Sequence, residues 1–148
     1  MSAEKLQLLL VDDEERFRTT LAKRFVEKGV DVAQAGEART ALKMIRETPF
    51  DVIVLDIKMP EMDGIEALGE IKKVDRHVEV ILLTGHAAVD SAIEGMRLGA
   101  FDYLLKPCEF ELLLVKVEAA YKVKQDRDER LRQAEVRSRL DRIQKSWS

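Results

Sequence analysis

Three kinds of side chain in this 148-residue chain stand where they could do chemistry together. Asp12 and Asp13 follow the apolar run Leu6 to Val11. Asp56 ends the run Val52-Ile-Val-Leu-Asp56. Thr84 follows Val78 to Leu83, and Lys106 follows Phe101 to Leu105. Each polar group thus comes directly after a short, mostly apolar stretch. If those stretches are strands of one parallel sheet, their carboxyl ends share a rim, which is where ligands collect in open α/β sheets. Three carboxylates on one rim repel unless a cation joins them. Oxygen-only ligands suit a hard ion, most simply Mg²⁺ that keeps several waters, and the lack of a His/Cys cluster argues against zinc. Asp56 is then the carboxylate left to attack a phosphoryl group and form an aspartyl phosphate. Lys106 and Mg²⁺ can neutralise the group in transfer, and the Thr84 hydroxyl beside the small Gly85 leaves a donor and room for its oxygens.

Taken singly, every one of these residues has a plainer use. The acids at 12–15 complement a helix dipole, Asp56 fits a turn, Thr84 a cap, Lys106 a solvated charge and Tyr103 half-buried packing. The weight lies in their joint placement at successive strand ends.

The elements that must position them can be read from periodicity. Strands are expected at 6–11, 30–33, 51–55, 78–83 and 101–105. Helices are expected between them: one with Phe17, Leu21 and Phe25 inward and Gly29 as C-cap, and one with the stripe Ala38, Ala41, Leu42 and Ile45, closed by Pro49. A third starts near Gly64 with Ile65, Leu68 and Ile71 inward. A fourth carries the stripe Val89, Ala92, Ile93 and Met96 and ends at Gly99, and a fifth begins at Glu109. Five alternations with short connections predict an α/β fold, a parallel sheet with helices on both faces.

Composition bounds the reading. The chain is 46% hydrophobic and 36% charged, as expected of one soluble domain with extra exposed helix. The single cysteine, Cys108, excludes an internal disulfide and fits a reducing cytoplasm. The N-terminal apolar run is too short for a membrane span or signal peptide. The net charge of −3 hides a split: residues 1–121 carry 16 basic and 23 acidic side chains, residues 122–148 carry 9 and 5. Residues 1–121 and 122–148 are therefore read as a body and a basic helical extension, and the acidic body argues against nucleic-acid binding there.

Val11-Asp12-Asp13-Glu14, Val54-Leu55-Asp56-Ile57-Lys58-Met59-Pro60, Met62-Asp63-Gly64, Leu83-Thr84-Gly85 and Gly99-Ala100-Phe101-Asp102-Tyr103-Leu104-Leu105-Lys106-Pro107 resemble the receiver domain of bacterial two-component response regulators, chemotaxis regulators included. The resemblance covers about residues 6–121. It implies a doubly wound, flavodoxin-like (βα)5 sheet in the order 2-1-3-4-5. It implies that Asp56 takes phosphate from a histidine kinase or a histidine phosphotransfer protein. It implies that Asp13, Asp56 and the backbone carbonyl of Lys58 bind Mg²⁺, with Asp12 helping through water. Lys106 would pair with the phosphoryl oxygens, Thr84 would bond one of them, and Tyr103 would turn inward behind Thr84, remodelling the face of helix four, strand five and helix five. The Lys106–Pro107 bond is expected to be cis. In this family the second residue after the acceptor, Lys58, and the second after the threonine, His86, tune phosphate lifetime; two exposed loop residues are the other reading. Cys108 stands where many relatives carry an aromatic.

From Glu109 the helical pattern runs to the C-terminus without Gly or Pro. Phe110, Leu113, Leu114, Val117, Ala120 and Tyr121 can face the sheet, Leu112, Val115, Ala119 and Val123 lie elsewhere, residues 124–130 are wholly polar, and Val136, Leu140, Ile143 and Trp147 make a short heptad-like seam. Three uses fit: a frayed amphipathic end, a homodimer-forming extension, or a linker to an output domain. No helix-turn-helix or ATPase motif follows, so direct DNA binding is not expected of these residues. The expectation is a phospho-accepting switch rather than a turnover enzyme. The rivals are a Mg²⁺-dependent phosphatase, which would lack a proton donor two residues past Asp56, where Lys58 stands, and a phosphorylation-independent interaction module.

Overall fold

The structure, a computed structural model, describes residues 5–85 and 89–147. Five strands, β1 (Gln7–Val11), β2 (Asp31–Ala35), β3 (Val52–Asp56), β4 (Glu79–Thr84) and β5 (Asp102–Leu105), alternate with five helices. The helices are α1 (Glu15–Glu27), α2 (Ala38–Glu47), α3 (Gly64–Val74), α4 (Val89–Arg97) and α5 (Phe110–Ser146). All pairings are parallel and the sheet order is β2-β1-β3-β4-β5. The fold is the doubly wound, flavodoxin-like one expected.

Every residue of β3 and β4 is buried, as the unbroken apolar runs require of strands covered on both faces. The two-residue period then sorts side chains into two cores. Leu9, Val11, Ile53, Leu55, Val80 and Leu82 point to α2, α3 and α4. Leu8, Leu10, Val52, Val54, Ile81 and Leu83 point to α1 and α5, where Phe25 and Phe110 meet edge to face at 4.9 Å. The edge strand β2 is only partly covered.

Helix ends follow local chemistry. Gly29, at φ 83°, lets Val30 N–H reach Phe25 O while its own N–H reaches Val26 O, a paired closure that stops α1. Thr48 is extended before Pro49, which closes α2 one turn on from Met44, and the stripe Ala38, Ala41, Leu42 and Ile45 is buried as read.

Helix α4 departs from expectation. Ala92 is buried, but Ile93 and Met96 are exposed, at 46% and 37%. The reason is steric. A Cβ on Gly95 would come within 2.3 Å of Leu82 Cδ1 and 3.1 Å of Ile65 Cδ1, so this helix approaches the sheet on its small residues. Hydrophobic periodicity selects the large residues and thus picks the wrong side of a helix packed through alanine and glycine. The side chain of Val89, the other residue of that stripe, lies outside the described residues.

Helix α5 runs for 37 residues, about 55 Å at 1.5 Å per residue. Phe110, Leu113, Val117 and Ala120 enter the core, and Leu114 and Tyr121 pack half-buried at its edge. The polar stretch that follows still holds the body. Lys124 Nζ lies 3.5 Å from Asp51 and 2.8 Å from Asp128, and Arg127 bonds Glu79 Oε2 at 2.9 Å and His77 O at 3.1 Å. Beyond Asp128 the helix is exposed on every side.

Candidate functional site

The sheet order reverses between β1 and β3, so a crevice opens above their carboxyl ends, and Asp12 and Asp56 stand there. Asp12 is fixed through its backbone: its N–H donates to Ala35 O at 3.1 Å, and its carbonyl accepts from Arg18 Nη1 at 2.6 Å. Its carboxylate takes the Glu14 N–H at 2.9 Å. Asp56, the last residue of β3, is buried, while Asp13 is exposed. One carboxylate oxygen from each of Asp12, Asp13 and Asp56 lies within 4.8 Å of the others.

Lys106 reaches into this group from the end of β5. Its Nζ lies 2.8 Å from Asp12 Oδ2, 3.1 Å from Glu14 Oε1 and 3.7 Å from Asp56 Oδ1, and it sits 4.6 Å from the centre of the Phe17 ring. The Lys106 N–H donates to Thr84 O at 2.6 Å, which ties β5 to β4 at the rim, and the Lys106–Pro107 bond is cis. Thr84 is fully buried, and its hydroxyl donates to Gly85 O at 3.3 Å. Tyr103 is half-buried against the core beneath α4. His86 lies outside the described residues.

The loop after Asp56 is held by a close approach. Gly64 N–H donates to Ile57 O at 2.7 Å, and a Cβ on Gly64 would meet Asp56 O at 2.3 Å and Ile57 Cα at 2.7 Å. Only glycine fits there. Asp63 caps α3 by accepting the Glu66 N–H, and Glu61 takes the left-handed conformation at φ 67°. The result places the Lys58 backbone beside Asp56 while the Lys58 side chain points to solvent. A hollow of about 370 Å³, lined by Asp13, Lys58, Met59, Pro60, Asp63 and Ser91, opens next to the carboxylates. Another, of about 360 Å³ between α1 and α5, is lined by Arg16, Phe17, Arg24 and Cys108 and holds no carboxylate.

The electrostatics match a site built to receive a cation. Burial, then the charges of Asp12 and Asp13, pushes the Asp56 carboxyl up to about 7, against the opposing pull of Lys106 and the Lys58 backbone. Burial alone would lower the Lys106 ammonium, but its hydrogen bond to Asp12 and the charges of Asp12 and Asp56 outweigh it and hold it above its usual value. Burial raises the half-buried Cys108 thiol, partly offset by Lys106.

The structure therefore gathers Asp12, Asp13, Asp56, Lys58, Thr84 and Lys106 at one rim, with Tyr103 on the strand next to Thr84. Three contributors escaped sequence reading: Glu14 as a partner of Lys106, Phe17 as the ring beside it, and Arg18 as the clamp on Asp12. Glu14 stood in plain view within the acidic run. Phe17 and Arg18 follow Asp13 by four and five residues, the reach of one helical turn back to the rim.

Residues 8–118 match the response regulator receiver domain. The chain belongs to that family. It is thus the receiver domain of a two-component response regulator, a signal-transduction module. It is 41% identical to the regulatory protein AtoC of Escherichia coli (strain K12) over 114 residues, covering 77% of this chain and 25% of AtoC. The chain spans about a quarter of the length of such curated relatives. Among solved structures it is similar to a receiver domain protein from Clostridium thermocellum, at 34% identity and a TM-score of 0.78, covering 81% of this chain and 97% of that one. It is also similar to the receiver domain of NtrX from Brucella abortus, at 31% identity and a TM-score of 0.74, covering 78% and 98%. Among the described residues, no helix of the receiver chain is long and apolar enough to cross a membrane.

Proposed function

We propose that Asp56 accepts a phosphoryl group from a phosphohistidine on a histidine kinase or histidine phosphotransfer protein, and that this switches the α4-β5-α5 face. The observation that carries the reading is the convergence of Asp12, Asp13 and Asp56 within 4.8 Å beside Lys106, at the β1/β3 switch point. The three carboxylates form an oxygen-only donor set suited to Mg²⁺, and the Asp56 carboxyl, raised first by burial and then by the charges of Asp12 and Asp13, would be returned to its ionised form by a divalent ion beside it. Asp13, Asp56 and the Lys58 carbonyl would hold the ion, with Asp12 helping through water. When bound, it neutralises charge on the phosphoryl oxygens.

The chain's own groups do the rest. An Asp56 carboxylate oxygen attacks phosphorus, the P–N bond breaks, and its electron pair leaves on the donor imidazole. Lys106, now held by Asp12 and Glu14, turns toward the new phosphoryl oxygens. The Thr84 hydroxyl donates a hydrogen bond to one of them in place of Gly85 O, and Tyr103 moves in behind it. The added charge, about −2, and three acceptors bias a two-state face by a few kcal/mol.

Acetyl phosphate with Mg²⁺ tests the reading. The chain should take up one phosphoryl group and stop, and Asp56→Asn should take up none. Continued turnover of the donor would contradict a switch.

A further inference from the structure

Arg18 is used oddly for a cation on this rim. Asp12, Asp13, Glu14 and Glu15 all precede it closely, yet among the described residues its guanidinium pairs with no carboxylate. Its Nη1 donates to the Asp12 carbonyl oxygen at 2.6 Å and its Nε to Gln34 Oε1 at 3.0 Å. A charged fork that suits carboxylates is given to two neutral oxygens, one of them backbone.

That backbone carries an acid of the rim. The Asp12 carbonyl lies in the peptide plane that leads into Asp13. The plane that leaves Asp13 is held from the other side, because Glu14 N–H donates to Asp12 Oδ1 at 2.9 Å. The Arg18 N–H then closes the segment on Glu14 O at 2.9 Å. With both planes fixed, φ and ψ of Asp13 are fixed, and only its side-chain torsions stay free. Asp13 is the exposed one of the three converging acids, so hydrogen bonds, not packing, hold it. The turn after β2 makes room for the clamp. A Cβ on Gly36 would stand 3.2 Å from Arg18 Nη1. Gly36 is not at positive φ, as Gly29 and Gly99 are, so it is the guanidinium rather than the backbone that calls for glycine there.

We propose that Arg18 is a positioning residue of the ion site: through the Asp12 carbonyl it sets Asp13 in the arrangement a small octahedral cation requires, with Gln34 and Gly36 as its seat. The inference rests on the reading of the three carboxylates as a Mg²⁺ site. Its sign separates it from plain electrostatics. A guanidinium near carboxylates repels an arriving cation, so on charge alone its removal tightens ion binding. Positioning gives the reverse. It also discriminates between ions. Mg²⁺ demands near-ideal octahedral geometry and Ca²⁺ does not, so a loosened Asp13 costs Mg²⁺ more.

Calorimetric titration of the full chain with Mg²⁺ and with Ca²⁺ tests it, on variants whose folding is checked by circular dichroism. Arg18→Met should weaken Mg²⁺ binding about tenfold or more, and Ca²⁺ binding by less than about threefold. Gly36→Val keeps the charge but displaces the guanidinium. It should weaken Mg²⁺ in the same direction, with no further loss when added to Arg18→Met. Unchanged or tighter Mg²⁺ binding by Arg18→Met, equal losses of both ions, or additive losses in the double variant would overturn the proposal. Asp13→Asn checks the reading beneath it. If the parent chain takes up no Mg²⁺, or Asp13→Asn binds it as well as the parent, the ion site falls and the proposal with it. A loss in Asp13→Asn beside an unaffected Arg18→Met removes the proposal alone.

Discussion

Asp56 is a carboxylate held where it resists ionising. Burial and two neighbouring acids raise it from 3.8 to about 7. Between those values the folded chain binds a proton that the unfolded chain has released, so this group's contribution to stability falls as pH rises through that window and is at its worst above pH 7. Asp56→Asn should therefore stabilise the metal-free protein at pH 8 by about 1–3 kcal/mol, with the gain gone below about pH 4. Urea denaturation in EDTA across that range checks it; a constant or inverted difference would show that Asp56 is not strained. Lys106 is the counterpart. Lys106→Met removes the cation that Asp12, Glu14 and Asp56 share, and should cost about 2–4 kcal/mol at pH 8. Part of that loss should return with millimolar Mg²⁺, which supplies positive charge, and part on acidification below about pH 7, where Asp56 takes up a proton and the crowded negative charge falls; denaturation curves across pH, with and without the ion, would show it. At this scale the sequence was informative because acid, hydroxyl and ammonium each stood right after a strand. It was silent on Glu14, Phe17 and Arg18, whose roles depend on how the first turn of α1 swings back over the rim.

Elements hold these groups in place through close approach as much as through burial. Gly64→Ala would drive a Cβ into backbone, at Asp56 O and Ile57 Cα, which cannot rotate away. It should cost about 2–3 kcal/mol and weaken Mg²⁺ binding several-fold, whereas Gly95→Ala, which meets the flexible end of Leu82, should cost less and leave the ion alone. Calorimetric Mg²⁺ titration beside denaturation separates the two. The strands and their order were legible because apolar runs and short alternation leave few other arrangements. The buried face of α4 was not, because Ala92 and Gly95 carry no hydrophobic signal to compete with Ile93 and Met96.

On the scale of the whole molecule, the wholly polar stretch 124–130 joins what composition had separated. Charge alone suggested a boundary after Tyr121, yet Lys124 and Arg127 grip Asp51, His77 and Glu79 at the amino-terminal edge of the sheet, opposite the acidic rim. We therefore place the end of the receiver body near Asp128. A chain ended at residue 130 should keep its full stability, and one ended at 121 should lose about 1–3 kcal/mol, because the buried Glu79 is left without its guanidinium; thermal melts of the two decide it. An equal stability would place the boundary earlier. Burial classes and long-range ion pairs of this kind depend on which helix surface meets the sheet, which one-dimensional polarity does not encode.

The phosphoacceptor is the hinge of the functional reading, and it can be located chemically. After exposure to acetyl phosphate and Mg²⁺, borohydride reduces an aspartyl phosphate to homoserine, and peptide sequencing finds the altered residue. Phosphorylation by the rim chemistry predicts homoserine at position 56 alone, and none in Asp56→Asn. Homoserine at another aspartate, or none in a chain that has demonstrably consumed the donor, would contradict it.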